Sequence, residues 1–313
     1  MSCRRFTTLT FFVLFPANFM SPFSDRKPSL ASLALIIATL LWASSFIALK
    51  FAFRTYDPLV VIFCRMLVAS ICFLIIAKRV TKAFHYRPGD YKLLLFMALC
   101  EPCLYFIFEA KAVENTTASQ AGMITAMLPI LVMIAAAQIL KERVRGRAWL
   151  GAIIAVCGVC WLTLLSAPTD DAPNPLLGNF LEFLAMLCAT GYTITLKALT
   201  ERYTPFFLTA LQAFAGCFFY FPLLFLPSTR LPEAFHLGPG LAILYLGAVI
   251  TMGAYGLYNY GLKHVPANKA ASFVNLIPIF SVFLGWLLLG ETLTSGQTVA
   301  GLVIIAGVYL TQR

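Results

Sequence analysis

ASQAGMITAMLPI at residues 118–130 returns 149 residues later as ANKAASFVNLIPI at 267–279. A second pair, LKFAFRTYDP (49–58) and LKALTERYTP (196–205), lies 147 residues apart. The first spacing also joins Glu142 to Glu291 and the Gly-Val pair at 158–159 to the one at 307–308. Identities that recur at nearly one offset, in corresponding segments, mark a duplicated chain. What the duplicated unit is, and how its copies face each other, decides the fold.

The unit is a run of membrane spans. Of 313 residues, 60% are hydrophobic and 12% charged, and the mean hydropathy is +0.86; a soluble domain carries about 25% charged residues. A bilayer is crossed by about 20 mainly apolar residues. Ten such spans are expected, at 30–50, 59–77, 93–111, 117–140, 148–166, 178–199, 205–226, 240–262, 270–289 and 297–312. Pro129, Pro222 and Pro278 fall inside spans, which membrane helices tolerate better than soluble ones. The predicted class is an all-α integral membrane protein.

The net charge of +10 is placed for orientation in a membrane rather than for nucleic acid. With the N-terminus in the cytoplasm, eighteen of the 23 Lys and Arg fall in cytoplasmic segments, four fall opposite, and Arg65 alone lies inside a span. That bias predicts a multi-pass protein of the plasma membrane, the bacterial inner membrane, with both termini cytoplasmic. Residues 1–28 contain RRFTTLTFFVLF (4–15) and are read as a leader or interfacial segment. A cleaved signal or a partial extra span are the alternatives, and Met20 is a second candidate start.

Five spans per copy is an odd number, so the second copy must sit upside down. KERVRGR (141–147) aligns with GETLTSG (290–296): four basic residues stand against four uncharged ones while the glutamate stays. A loop that is basic in one copy and neutral in the other follows from inversion. The expected organisation is ten transmembrane helices as two inverted five-helix repeats, 29–166 and 167–313. Inverted repeats are the architecture of secondary transporters, with the substrate site near the midplane between the halves.

The chain resembles the drug/metabolite transporter superfamily in its EamA-like branch. The matching segments are LLWASSFIALK (40–50), DPLVVIFCRMLVA (57–69), NTTASQAGMITAMLPILVMIAAAQILKE (115–142) and PANKAASFVNLIPIFSVFLGWLLLGE (266–291). The resemblance covers about residues 30–313. It implies a central cavity lined by spans 1–4 and 6–9, with spans 5 and 10 outside. It also implies export or exchange of amino acids, other metabolites or drug-like solutes by alternating access.

Ionisable groups inside a membrane are functional candidates by default. Arg65 in span 2 can reach Glu101 or Glu109 in span 3, either as a structural clamp or as an anion site. Glu101, Tyr105 and Glu109 follow the i, i+4, i+8 spacing of one helical face. Glu109 is the expected partner of Arg65, and Glu101 the candidate for proton coupling. Trp42 and Ser45, Thr190 and Thr193, Gln212, Tyr255 and Asn259 are further polar cavity candidates. Tyr258 and Tyr260 read more simply as an interfacial belt, and Glu182 as a side chain reaching the interface. Gln120 and Asn275 read as bonds between helices. Pro129 and Pro278, in matching sites, are helix-kink candidates.

No cofactor or metal is expected. The Cys100/Cys103 and Cys157/Cys160 pairs lie in apolar spans without histidine nearby, unlike a metal or redox site. His85, His236 and His264 are isolated, and neither a zinc-protease nor a hydrolase or phosphate-loop motif occurs, so an enzyme is disfavoured. A membrane-embedded enzyme and a channel remain the alternatives. The expected partners are a small-molecule substrate, with proton coupling an open question, and the lipid bilayer. A homodimer stays open as the assembly.

Overall fold

The computed structural model describes residues 28–76, 89–139 and 146–311. The leader reading of residues 1–28 lies almost wholly outside them, as do Glu142 and the basic residues 141–145. The described residues form ten membrane helices: α1 (Pro28–Phe53), α2 (Pro58–Ile75), α3 (Tyr91–Asn115), α4 (Ala118–Ile124 and Met127–Ile139) and α5 (Gly146–Leu164), then α6 (Pro175–Thr200), α7 (Pro205–Tyr220), α8 (Leu237–His264), α9 (Ala267–Phe273 and Leu276–Leu289) and α10 (Ser295–Thr311). Nine of these are long and apolar enough to cross a membrane, and α10 is slightly shorter. Their uncovered faces suit lipid: Leu74, Leu164 and Phe218 are among the most exposed side chains.

The repeat in the sequence sets where helices start. The Asp57 carboxylate accepts from Leu59 N ahead of Pro58, and the Thr204 hydroxyl accepts from Phe207 N ahead of Pro205. Each pair supplies a side-chain cap and a proline at the first helical position, where its missing N–H is not needed. These are the aligned DP and TP ends of the 147-residue repeat.

Packing obeys the same exchange of halves. α3 lies against α6 as α8 lies against α1, α4 against α6 as α9 against α1, and α2 against α8 as α7 against α3. The pairs α2/α7, α4/α9 and α5/α10 each join a helix to its own counterpart. The fold is thus two five-helix repeats, inverted with respect to each other. α5 and α10 pack chiefly on one another: a Cβ on Gly151 would stand 2.5 Å from the Gly307 carbonyl oxygen, so glycine permits this approach.

Two pairs of helices are interrupted at matching places. α4 breaks at Thr125–Ala126 and α9 at Val274–Asn275. These turns lie one turn ahead of Pro129 and Pro278. A proline ring clashes with the carbonyl four residues earlier, which here belongs to Thr125 and Val274. α3 widens into a π-helical segment at Leu99–Leu104 and α8 at Leu246–Ala254, starts that are again 147 residues apart. Only the first contains a proline.

Candidate functional site

Glu101, Tyr105 and Glu109 do not share one unbroken helical face. Glu101 leaves helical geometry (φ −150°, ψ 117°) just before Pro102, which has no N–H to give the preceding turn. Carbonyls at the break also find donors on α7. Gln212 Nε2 donates to Glu101 O at 3.3 Å, and Tyr220 Oη to Pro102 O at 3.2 Å and Cys103 O at 2.6 Å. Irregular backbone at membrane depth persists where protein groups satisfy it in this way. The break turns Glu101 into the same cavity as Tyr105 and Glu109.

Arg65 enters from α2 and is 1% exposed. Its Nε donates to Thr251 Oγ1 at 2.8 Å, its Nη1 lies 3.6 Å from Glu109 Oε2, and its guanidinium stands 4.2 Å from the centre of the Phe106 ring. Nη1 has no hydrogen-bond partner. Tyr105 Oη donates to the other Glu109 oxygen at 3.0 Å. Of the two carboxylates, the guanidinium therefore lies against Glu109, while Glu101 is hydrogen-bonded by Tyr255. Thr251 belongs to the π segment of α8 and donates its own hydroxyl proton to Leu246 O at 2.9 Å. The arginine is thereby held by an irregular segment of the opposite repeat.

The Arg65–Thr251 bond yields a prediction. Thr251→Val is expected to destabilise the protein by about 1.5–3 kcal/mol, the range for a hydrogen bond to a charged group, with Thr251→Ser near wild type. Thermal unfolding in detergent micelles reads the difference.

The cavity is lined by α1 (Trp42, Ser45, Phe46), Arg65 of α2, the three α3 residues, and side chains of α4, α6, α8 and α9. All of the lining is buried except Trp42, which is partly exposed. Aromatic rings form one wall: Trp42 lies 5.1 Å from Tyr255 and 4.7 Å from Tyr258, centre to centre, and Tyr192 lies 6.4 Å from Tyr255. Trp42 Nε1 has no hydrogen-bond partner. The water-accessible volume is about 40 Å³, room for a few waters at about 10–15 Å³ each. Ligand pockets of about 300–1,000 Å³ are usual, so the site is small in this conformation.

The structure redistributes several expected residues. Trp42, Ser45, Thr193 and Tyr255 do line the cavity. Thr190, Gln212 and Asn259 do not. Thr190 turns its hydroxyl back to Met186 O at 2.8 Å, the habitual bond of a helical threonine. Asn259 accepts from Tyr192 Oη at 2.6 Å and donates to Thr209 at 2.8 Å. α7 gives nothing to the main cavity, against the expectation of spans 6–9; Thr209 and Gln212 line a smaller hollow behind it. Tyr258, expected at the interface, is 1% exposed and lines the cavity. Gln120 accepts from Asn179, Ser166 and Thr116 in a network joining α3, α4, α5 and α6. Glu182, read as reaching the interface, is 0% exposed, and neither carboxylate oxygen has a hydrogen-bond partner.

The model of the EamA-like transporter family matches residues 29–164 and again 176–313. The chain belongs to the EamA-like transporter family. The two matched segments correspond to α1–α5 and α6–α10, the inverted repeats. Among relatives of this EamA-like chain, the uncharacterized transporter YcxC of Bacillus subtilis is 27% identical, with 89% of this chain and 91% of the relative aligned. The uncharacterized transporter YetK of the same organism is 24% identical, over 79% and 76% of the two chains. A protein of Streptantibioticus cattleyicolor named "Probable terminal-alkyne amino-acid exporter" is 23% identical over 92% of this chain and 95% of its own. One crystal structure superposes with a TM-score of 0.64 at 18% identity, covering 90% of this chain and 98% of that one, and so shares the fold. The protein is a multi-pass membrane protein of a transporter family with bacterial members.

Proposed function

We propose that this transporter moves small amino-acid-like solutes by alternating access across the bacterial cytoplasmic membrane, with both termini inside and export or exchange as its direction. One observation carries the reading. A buried cavity at the junction of the two inverted repeats presents a guanidinium whose Nη1 has no hydrogen-bond partner, two carboxyl groups and an aromatic wall. Arg65 suits the carboxylate of a zwitterion, and Glu101 with the rings of Trp42, Tyr255 and Tyr258 suits its ammonium. The name of the Streptantibioticus relative supports the same solute class. Glu101, which forms no ion pair among the described residues, is the group assigned to proton coupling.

A chamber this small favours a transporter over a channel, which needs a continuous wet path, and the EamA-like family assignment favours a transporter over an enzyme. The test is counterflow in proteoliposomes. Labelled amino acids are expected to exchange saturably, and a pH gradient is expected to accelerate the wild type but not Glu101→Gln. Binding alone stabilises the folded state by about 2.7 kcal/mol at a hundredfold excess over Kd, so a thermal screen finds the solute first. Flux that rises linearly with concentration and ignores solute on the far side refutes alternating access. A gradient response unchanged in Glu101→Gln refutes the coupling role.

A further inference from the structure

Glu182 has no task in that reading, yet its position is unusual. It lies seven residues into α6, about 10 Å at 1.5 Å per residue. It is fully buried, with both oxygens unpartnered. α3 packs against α6, and the negative charge of Glu109 on α3 acts on Glu182 without a hydrogen bond between the two carboxyl groups. Among the described residues no cation is paired with it: Lys111 of α3 is exposed and paired with Glu114. α4 has no charged residue over 118–139, and α7 has none over 205–220. Arg147 of α5 stands at the opposite end of that helix, as do Lys263 and His264 of α8 and Lys269 of α9. Arg65 is engaged by Glu109 and Thr251.

An ionised carboxylate with neither a hydrogen bond nor a cation bears its whole desolvation cost, and such a group neutralises instead. Glu109 differs, because Arg65 and the Tyr105 hydroxyl both address it. We propose that Glu182 and Glu109 form a proton-binding pair, in which Glu182 carries a resident proton while Arg65 counters the charge of Glu109. The resident proton is independent of the transport reading.

The test therefore reads the proton directly. Infrared absorption of the purified protein in lipid nanodiscs, at neutral pH in D2O, is expected to show the carbonyl band of a protonated carboxylic acid. Glu182→Gln is expected to lose that component, and Glu101→Gln to retain it. A band unaffected by Glu182→Gln overturns the proposal. So does a band that disappears when sodium replaces potassium at constant pH, which would make the pair a metal-cation site. Should Glu182→Gln fail to fold, the wild type gives the answer. Dicyclohexylcarbodiimide modifies protonated buried carboxyl groups, and the peptide carrying Glu182 is expected to gain the adduct mass. An adduct found elsewhere in the chain but not on that peptide overturns the assignment. None of these readouts requires transport, so failure here is separate from failure of the transport reading.

Discussion

Arg65→Met is expected to lose transport and to destabilise the protein by about 3–5 kcal/mol, the loss that follows when one member of a buried ion pair is removed. The guanidinium is 1% exposed and stands 3.6 Å from the Glu109 carboxylate, against Phe106. Methionine fills much of the same volume and keeps contact with the ring, so the loss comes from charge rather than from a cavity. Glu109 would then be a buried carboxylate with no ion-pair partner among the described residues. The double variant Arg65→Met, Glu109→Gln leaves no uncompensated charge and is expected to regain most of the stability, because apolar or neutral replacements of a whole buried pair are often neutral. It should not regain transport, since the cavity no longer offers a cation to an anionic solute. The two measurements separate the clamp role of Arg65 from its binding role. If single and double variants unfold at the same temperature, the pair is not coupled. If Arg65→Met still exchanges amino acids saturably, the anion site is wrongly placed.

The duplication, the ten helices and their inversion were legible in the sequence because each leaves a one-dimensional trace: an offset, an apolar run, a loop whose charge differs between copies. The interruptions of α4 and α9 were legible through Pro129 and Pro278, displaced by the one turn over which a proline ring reaches back. The α8 interruption was not. Leu246–Ala254 contains no proline, and its widened turn depends on Thr251 donating to Leu246 O and receiving Arg65, a partner 186 residues away. Periodicity also misplaced side chains where the chain is irregular. An i, i+4, i+8 count assumes a regular helix through Glu101, and the helix ends there. Glu182 was misread for a simpler reason. Depth along a helix says how far a residue lies from the membrane surface, not which neighbour it faces, and Glu182 faces α3. Thr190, Gln212 and Asn259 show the same limit: polarity inside a span signals a bond partner as readily as a cavity. The membrane sidedness rests on the charge bias alone.

The cavity and the irregular segments belong to one device. Thr125 and Val274, at the two proline-induced turns, both line the cavity, and the π segments of α3 and α8 hold Glu101 and the anchor of Arg65. Paired interruptions in corresponding helices are where transporters of inverted architecture place their substrate. Here each of the two π segments also carries a bond to the opposite repeat. Glu101 O receives Gln212 of α7, and Thr251 of α8 receives Arg65 of α2. Movement of one repeat against the other must therefore remake these bonds, which ties the geometry of the site to the relative position of the halves.

That coupling makes the α4/α9 crossing the most sensitive contact away from the charges. The two helices are counterparts in the duplication and meet at Gly122. A Cβ there would stand 1.9 Å from Ser281 Oγ and 2.3 Å from Ser281 Cβ, with the Ser281 Cα at 3.8 Å. Ser281 is fully buried, and its hydroxyl already donates to Pro278 O at 3.2 Å. It can turn its oxygen aside, but its Cβ moves only with the backbone of α9. Gly122→Ala is therefore expected to push the helices apart and destabilise the protein by about 1–3 kcal/mol, the usual range for overpacking. Because the turns of α4 and α9 border the cavity, transport should fall by more than the stability loss explains, with KM affected along with the maximal rate. Ser281→Gly removes the obstructing Cβ and should restore both in the double variant, while a serine-to-glycine change alone costs about 1 kcal/mol or less in helix propensity. The decisive number is the interaction energy of the cycle. A positive rescue places the two repeats in direct contact at this crossing during transport. Additive losses mean that the close approach is incidental to the working cycle.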